Sequence, residues 1–126
     1  QKMAVAIDTS GSISLNDFNV FFSEIHFMWK SGAEIEIIEC DAVVQRTYPY
    51  QGILPREIQG RGGTLFDPVF SYLNKDRFKR YDGCVFLTDG FAKEPIIKPH
   101  CKLLWVITSD GQTGPHLKFG QVIQIV

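Results

Sequence analysis

A single α/β domain built on a mostly parallel sheet is the fold class this sequence predicts. Three observations carry the prediction. "MAVAID" (3–8) and "GCVFLTDG" (83–90) are short, nearly continuous apolar runs ending in polar residues, as expected of strands buried on both faces. Runs of this kind alternate with helical patterns along the chain. In addition, "AEIEIIEC" (33–40) alternates as a strand, and only Asp41-Ala42 separates it from "VVQRTYPY" (43–50). That is hairpin spacing, so these two strands should pair antiparallel.

Each element follows from local chemistry. "SLNDFNVFFSEIHFMWKSG" (14–32) reads as a helix, with Phe18, Phe21, Phe22, Ile25, Met28 and Trp29 on one broad face. Ser14 with Asp17 three residues on forms a capping-box signature, and Gly32 suits the position just past the last turn. After the hairpin comes the Gly/Pro-rich connector "GILPREIQGRGGT". "LFDPVFSYLNK" (65–75) then predicts a short helix with Pro68 in its first turn. "FAKEPIIKPHC" (91–101) holds two prolines and is too broken for a long helix. "KLLWVITSDG" (102–111) and the closing "QVIQIV" give two more strands. In sheets of this class ligands sit beyond the carboxyl ends of the strands, where strand order reverses. Both polar clusters, Asp8 to Ser12 and Thr88 to Gly90, fall at such ends.

Bulk properties narrow the function. The chain has 126 residues, room for one domain with a real core. A net charge of −1, with acids and bases interspersed, gives no footprint for nucleic acid or anionic lipid. No apolar run approaches the roughly 20 residues needed to span a membrane, and there is no signal-peptide pattern. The opening Gln1-Lys2 enters a strand at once, which suggests a domain excised from a longer chain, although a tag remnant ahead of Met3 reads the same way. Cys40, Cys84 and Cys101 form no C-x-x-C pair and read as reduced thiols of a cytoplasmic protein.

Asp8 and Asp89 each end a buried strand. If the strands are neighbours, the two carboxylates face each other and repel unless a cation or a proton lies between them. Ser10, Ser12 and Thr64 offer neutral hydroxyl oxygens. Such a set suits a hard cation, and Mg²⁺ takes six oxygens at about 2.0–2.1 Å, usually keeping some waters. Gly11 lets the first loop fold back, and Gly62-Gly63 lets Thr64 approach closely. The same residues also admit a plain polar turn, a structural cation clip or a catalytic aspartate.

"DTSGS", the distant "GGT" and the strand-ending "LTDG" resemble the metal-ion-dependent adhesion site of von Willebrand factor A-like (VWA-like) domains. The resemblance spans the whole chain, residues 1–126, in element order. It implies a Rossmann-like fold: a mostly parallel central sheet with one antiparallel edge strand and helices on both faces. "GGTLFDPVF", "FLTDGFAKEP", "LLWVIT" and "FGQVIQIV" further resemble the C-terminal VWA-like domain of bacterial predicted metallopeptidases. The resemblance implies a Mg²⁺ or Mn²⁺ site in which Ser10 and Ser12 ligate through their hydroxyls and Thr64 directly or through water. Asp8 and Asp89 would act mostly through bound waters, and a partner's acidic side chain would complete the coordination. A MoxR-type AAA+ ATPase in the cytoplasm is the partner class it implies.

The chain departs from the parent pattern in two ways. It has no H-E-x-x-H zinc helix, since His26, His100 and His116 are isolated, so any peptidase activity would lie outside these residues. Within these residues no long helix is expected after the last strand. Enzyme readings fare poorly on the residues themselves. An aspartyl-phosphate phosphatase needs a second acid where Ser10 stands, an aspartic protease needs D-T-G, and a serine nucleophile lacks the G-x-S-x-G elbow. There is no Walker lysine. Asp41 and Asp110-Gly111 read as turn residues, Asp67 as a helix-start carboxylate, and His116 as loop surface.

Overall fold

A computed structural model of the chain describes residues 1–10, 13–54, 63–76 and 80–126. Strands β1 (Lys2–Asp8), β2 (Glu34–Cys40), β3 (Val44–Pro49), β4 (Gly83–Thr88), β5 (Lys102–Ile107) and β6 (Gln121–Gln124) form one sheet in the order β3-β2-β1-β4-β5-β6. β3 runs antiparallel to β2, and every other neighbouring pair is parallel. Helices α1 (Leu15–Lys30) and α2 (Asp67–Asn74) cover opposite faces. The expected antiparallel hairpin edge and mostly parallel sheet are therefore both present.

Strand alternation sorts the core into two layers. On the α1 side, Val5, Ile7, Ile37, Leu87 and Val106 pack against Phe21, Phe22 and Ile25. On the α2 side, Ala6, Phe86, Trp105 and Ile107 pack against Phe66, Val69 and Phe70. Trp105 is the hub of the second layer. Its ring stacks on Phe86 at 5.1 Å, and its Nε1–H donates to the Lys118 carbonyl at 2.9 Å.

The start and end of α1 follow the sequence reading closely. Ser14 is the N-cap, its Oγ accepting from the Asp17 N–H at 3.1 Å. Gly32 sits just past the last turn with φ +104°, which glycine adopts without a Cβ clash. The capping box is only half realised, because the Asp17 side chain leaves its helix for Ser109. Asp67 also departs from expectation. It opens α2, yet its Oδ1 accepts the Ile96 and Ile97 N–H groups at 2.9 and 2.8 Å, tying down the broken segment 91–101. Among the described residues no helix is long and apolar enough to cross a membrane.

Cys40 and Cys84 are buried and Cys101 is half-buried, and burial pushes all three thiols up from their ordinary value. At Cys40 the neighbouring Asp8 charge adds to that effect. The sign of the pH dependence follows. The folded state holds these protons above the pH at which the unfolded chain, with thiol pKa about 8.5, releases them. The stabilisation is complete below that value and lost as pH rises through it toward the folded values. The urea midpoint is therefore expected to fall between about pH 8.5 and pH 10. The fall should be smaller in Cys84→Ala when each protein is referred to its own midpoint at pH 7.

Candidate functional site

The chain reverses its direction of travel across the sheet at β1, which has β2 on one side and β4 on the other. A crevice opens beyond the carboxyl ends of strands at such a point. Asp8 is the last residue of β1, and its side chain is turned to the α2 side by strand alternation. It is 2% exposed.

Its carboxylate collects donors from three separate segments. Ser10 N–H donates to Oδ1 at 2.9 Å, and the Ser10 hydroxyl reaches the same oxygen. The Thr64 hydroxyl donates to Oδ1 at 2.9 Å and also touches Ser10 Oγ. Thr88 Oγ1 donates to Oδ2 at 2.6 Å. Asp8 and Ser10 from one segment and Thr64 from a distant one thus bring one carboxylate and two hydroxyl oxygens to a single point. Among the described residues no Lys or Arg forms an ion pair with Asp8.

The scaffold fixes each contributor. Thr9 anchors the first loop over β2, donating from its N–H and its hydroxyl to the Cys40 carbonyl at 2.7 and 2.9 Å. Thr64 is held from both sides. Gly63 before it takes φ +73°, and after it Leu65 N–H bonds the Asp41 carbonyl at 3.2 Å, while Phe66 plugs into the Trp105 layer. Asp41 itself is a turn residue, as read from the sequence. Its Oδ1 accepts from Val43 N–H at 3.1 Å and from the Gln45 amide at 2.9 Å.

Two sequence-derived assignments need comment. Ser12 and its neighbour Gly11 lie outside the described residues. Asp89 directly follows the last residue of β4, and its Oδ1 accepts the Phe91 N–H at 3.0 Å. Ile7 pairs with Leu87, so the next residue of β4, Thr88, stands level with Asp8, and Asp89 lies one residue beyond. Sequence reasoning passed over Thr88. The signal was the hydroxyl residue within "LTDG", sharing a sheet face with Asp8 once the two strands are aligned.

The Asp89 loop is nonetheless rigidly built. Gly90 has φ +79°, and a Cβ there would sit 2.0 Å from the Gln112 carbonyl oxygen, so no other residue fits without moving that loop. Gln112 N–H donates to the Asp89 carbonyl at 2.7 Å. His116, read as plain surface, bonds the Gly90 carbonyl through Nε2 at 2.7 Å.

The donor set is oxygen only. No group of three His, Cys, Asp or Glu side chains able to hold a metal occurs among the described residues. Among the described residues the oxygens brought together here are the Ser10 and Thr64 hydroxyls and the Asp8 carboxylate, a set that suits a hard ion. In that sense the residues fit Mg²⁺ or Mn²⁺.

Residues 3–126 match the family described as VWA-like domain (DUF2201). The chain belongs to this family. The VWA-like domain is 31% identical over 110 residues to an uncharacterized protein of Thermotoga maritima. That match covers 85% of the present chain and 27% of the relative, so the domain spans about a quarter of the relative's length. Family membership agrees with the observed Rossmann-like order and its antiparallel edge strand.

Proposed function

We propose that this VWA-like domain is a non-enzymatic, divalent-metal-dependent protein-binding module. The observation that carries the reading is the convergence of Asp8, Ser10 and Thr64 oxygens at the strand-order switch, around a buried carboxylate with no basic partner among the described residues. A buried carboxylate of this kind favours a nearby cation. Ser10, Ser12 and Thr64 would hold Mg²⁺ or Mn²⁺ through hydroxyl oxygens, with Asp8 and Asp89 acting through waters. Bound there, the ion supplies an electrophilic centre with little direct negative charge, so an acidic side chain of a partner protein completes its coordination.

Nearby surface chemistry supports a protein partner. Leu15 and Phe91, 75% and 59% exposed, directly follow the Ser14 cap and the Asp89-Gly90 turn, and Val43 is exposed two residues beyond Asp41. Large apolar side chains near a polar centre are what a protein interface uses. Nucleophilic chemistry finds no support. No histidine hydrogen-bonds Ser10 among the described residues, and His116 is committed to the Gly90 carbonyl. By resemblance, the parent is a bacterial metallopeptidase-like chain carrying this domain at its C-terminal end. Its partner class is a cytoplasmic MoxR-type AAA+ ATPase.

An immobilised peptide array with a central Glu or Gln tests the binding mode. The expected result is retention of the domain by Glu peptides in Mn²⁺, no retention by their Gln counterparts, and release by EDTA. Retention indifferent to EDTA, or Mn²⁺-dependent hydrolysis of p-nitrophenyl phosphate that Asp8→Ala abolishes, would overturn the reading.

A further inference from the structure

Asp17 is a buried carboxylate whose two oxygens are unequally satisfied, at a helix start where an exposed acid would serve the helix dipole as well. It lies in the first turn of α1 and is 1% exposed. Its Oδ2 accepts two hydrogen bonds from a residue 92 positions along the chain, from Ser109 N–H at 2.8 Å and from the Ser109 hydroxyl at 2.9 Å. Its Oδ1 is buried and accepts none. No Lys, Arg or His forms an ion pair with it among the described residues. Thr108 Oγ1, on the residue next to Ser109, is a second buried oxygen without a partner. Buried polar atoms are nearly always satisfied, and those left over in a folded protein mark strain, function or an absent water or ion.

A staple between α1 and β5 does not need a carboxylate. An asparagine oxygen would accept from Ser109 equally well and would bury no charge. What a carboxylate adds is its field, which acts through the low-dielectric interior without direct contact. Both attachments of Asp17 lead to segments of the oxygen cluster. Its N–H is held by Ser14, four residues after Ser10 in the sequence. Its carboxylate is held by Ser109, whose neighbour Thr108 bonds the Thr88 carbonyl, and Thr88 in turn bonds Asp8.

Resting on the cation-site reading above, we propose that Asp17 is a positioning residue for that site. Its buried charge strengthens cation binding at the Asp8–Ser10–Thr64 cluster and lowers the stability of the metal-free fold.

The test compares Asp17→Asn with Ser109→Ala, each by Mn²⁺ calorimetry and by thermal melting in EDTA. Asp17→Asn is expected to melt in EDTA at or above the wild-type temperature and to bind Mn²⁺ at least fivefold more weakly. Ser109→Ala keeps the charge and loses the staple, so it should melt lower and bind within twofold of wild type. Unchanged Mn²⁺ affinity in Asp17→Asn overturns the proposal while leaving the cation site standing. So does a loss of affinity that Ser109→Ala reproduces in full. Wild-type protein that takes up no Mn²⁺ overturns the cation site itself and this proposal with it.

Discussion

Trp105→Ala is expected to destabilise the domain by about 3–5 kcal/mol, the usual cost of emptying a fully buried tryptophan site. The indole is 0% exposed and meets Phe66, Phe70 and Phe86 at centroid distances of 4.7, 5.9 and 5.1 Å. Its removal opens a cavity, breaks three aromatic contacts and strands the Lys118 carbonyl. For a domain of this size each kcal/mol moves the melting temperature by roughly 3–5 °C, so a fall of about 10–20 °C is expected by circular dichroism. Trp105→Phe should recover more than half of the loss, because it refills most of the volume and forfeits only the N–H bond. The effect reaches the site as well. Phe66 leans on Trp105 two residues after Thr64, so the alanine variant loosens the Thr64 anchor even where it remains folded.

Asp8→Ala is expected to have the second large effect, on stability and on metal uptake together. In the metal-free fold, Asp8 accepts from the Ser10 N–H and from the hydroxyls of Ser10, Thr64 and Thr88. Hydrogen bonds to a charged group contribute about 1.5–3 kcal/mol each, but the hydroxyls can turn toward one another once the carboxylate is gone. A net loss of about 2–4 kcal/mol in EDTA is therefore expected. Removing a buried charge works in the opposite direction, and the four orphaned donors outweigh it. Mn²⁺ binding should fall below detection. Asp8→Asn should keep most of the stability and still lose the ion, which separates scaffold from site.

The sequence made the elements legible because their signals are local. Apolar runs marked β1 and β4, and the short separation of two strand patterns marked the β2–β3 hairpin, whose turn takes three residues where the sequence pattern suggested two. A serine before an apolar face marked the start of α1, and Gly32 marked its end. The clustering of Asp8, Ser10 and Thr64 at one sheet edge was also visible in outline, since each lies at or just beyond a strand end or in a glycine-hinged loop. What stayed hidden was set by distant register. Thr88 reaches Asp8 across 80 residues, and Asp17 reaches Ser109 across 92. Neither pairing leaves a trace in periodicity or capping pattern. Asp17 looked like a helix-cap residue, and only the packing of α1 over the end of β5 gave its side chain a different acceptor role. Asp67 was read as a dipole partner for the same reason, since its bonds to residues 96 and 97 depend on where a strandless, proline-broken segment comes to rest. Tyr72 and Tyr81, converging on Glu36 from α2 and from the approach to β4, are a further contact of this kind.

The central claim is that the oxygens gathered around Asp8 form a cation site. Calorimetric titration of Mn²⁺ and then Mg²⁺ into chelator-stripped domain, beside Thr64→Ala, addresses it most directly. The predicted result is saturable uptake of one ion per chain by the wild type, weakened in Thr64→Ala and matched by a rise in melting temperature with ion concentration. No heat of binding and no melting shift with either ion, at concentrations up to about 1,000 times the protein, would contradict it.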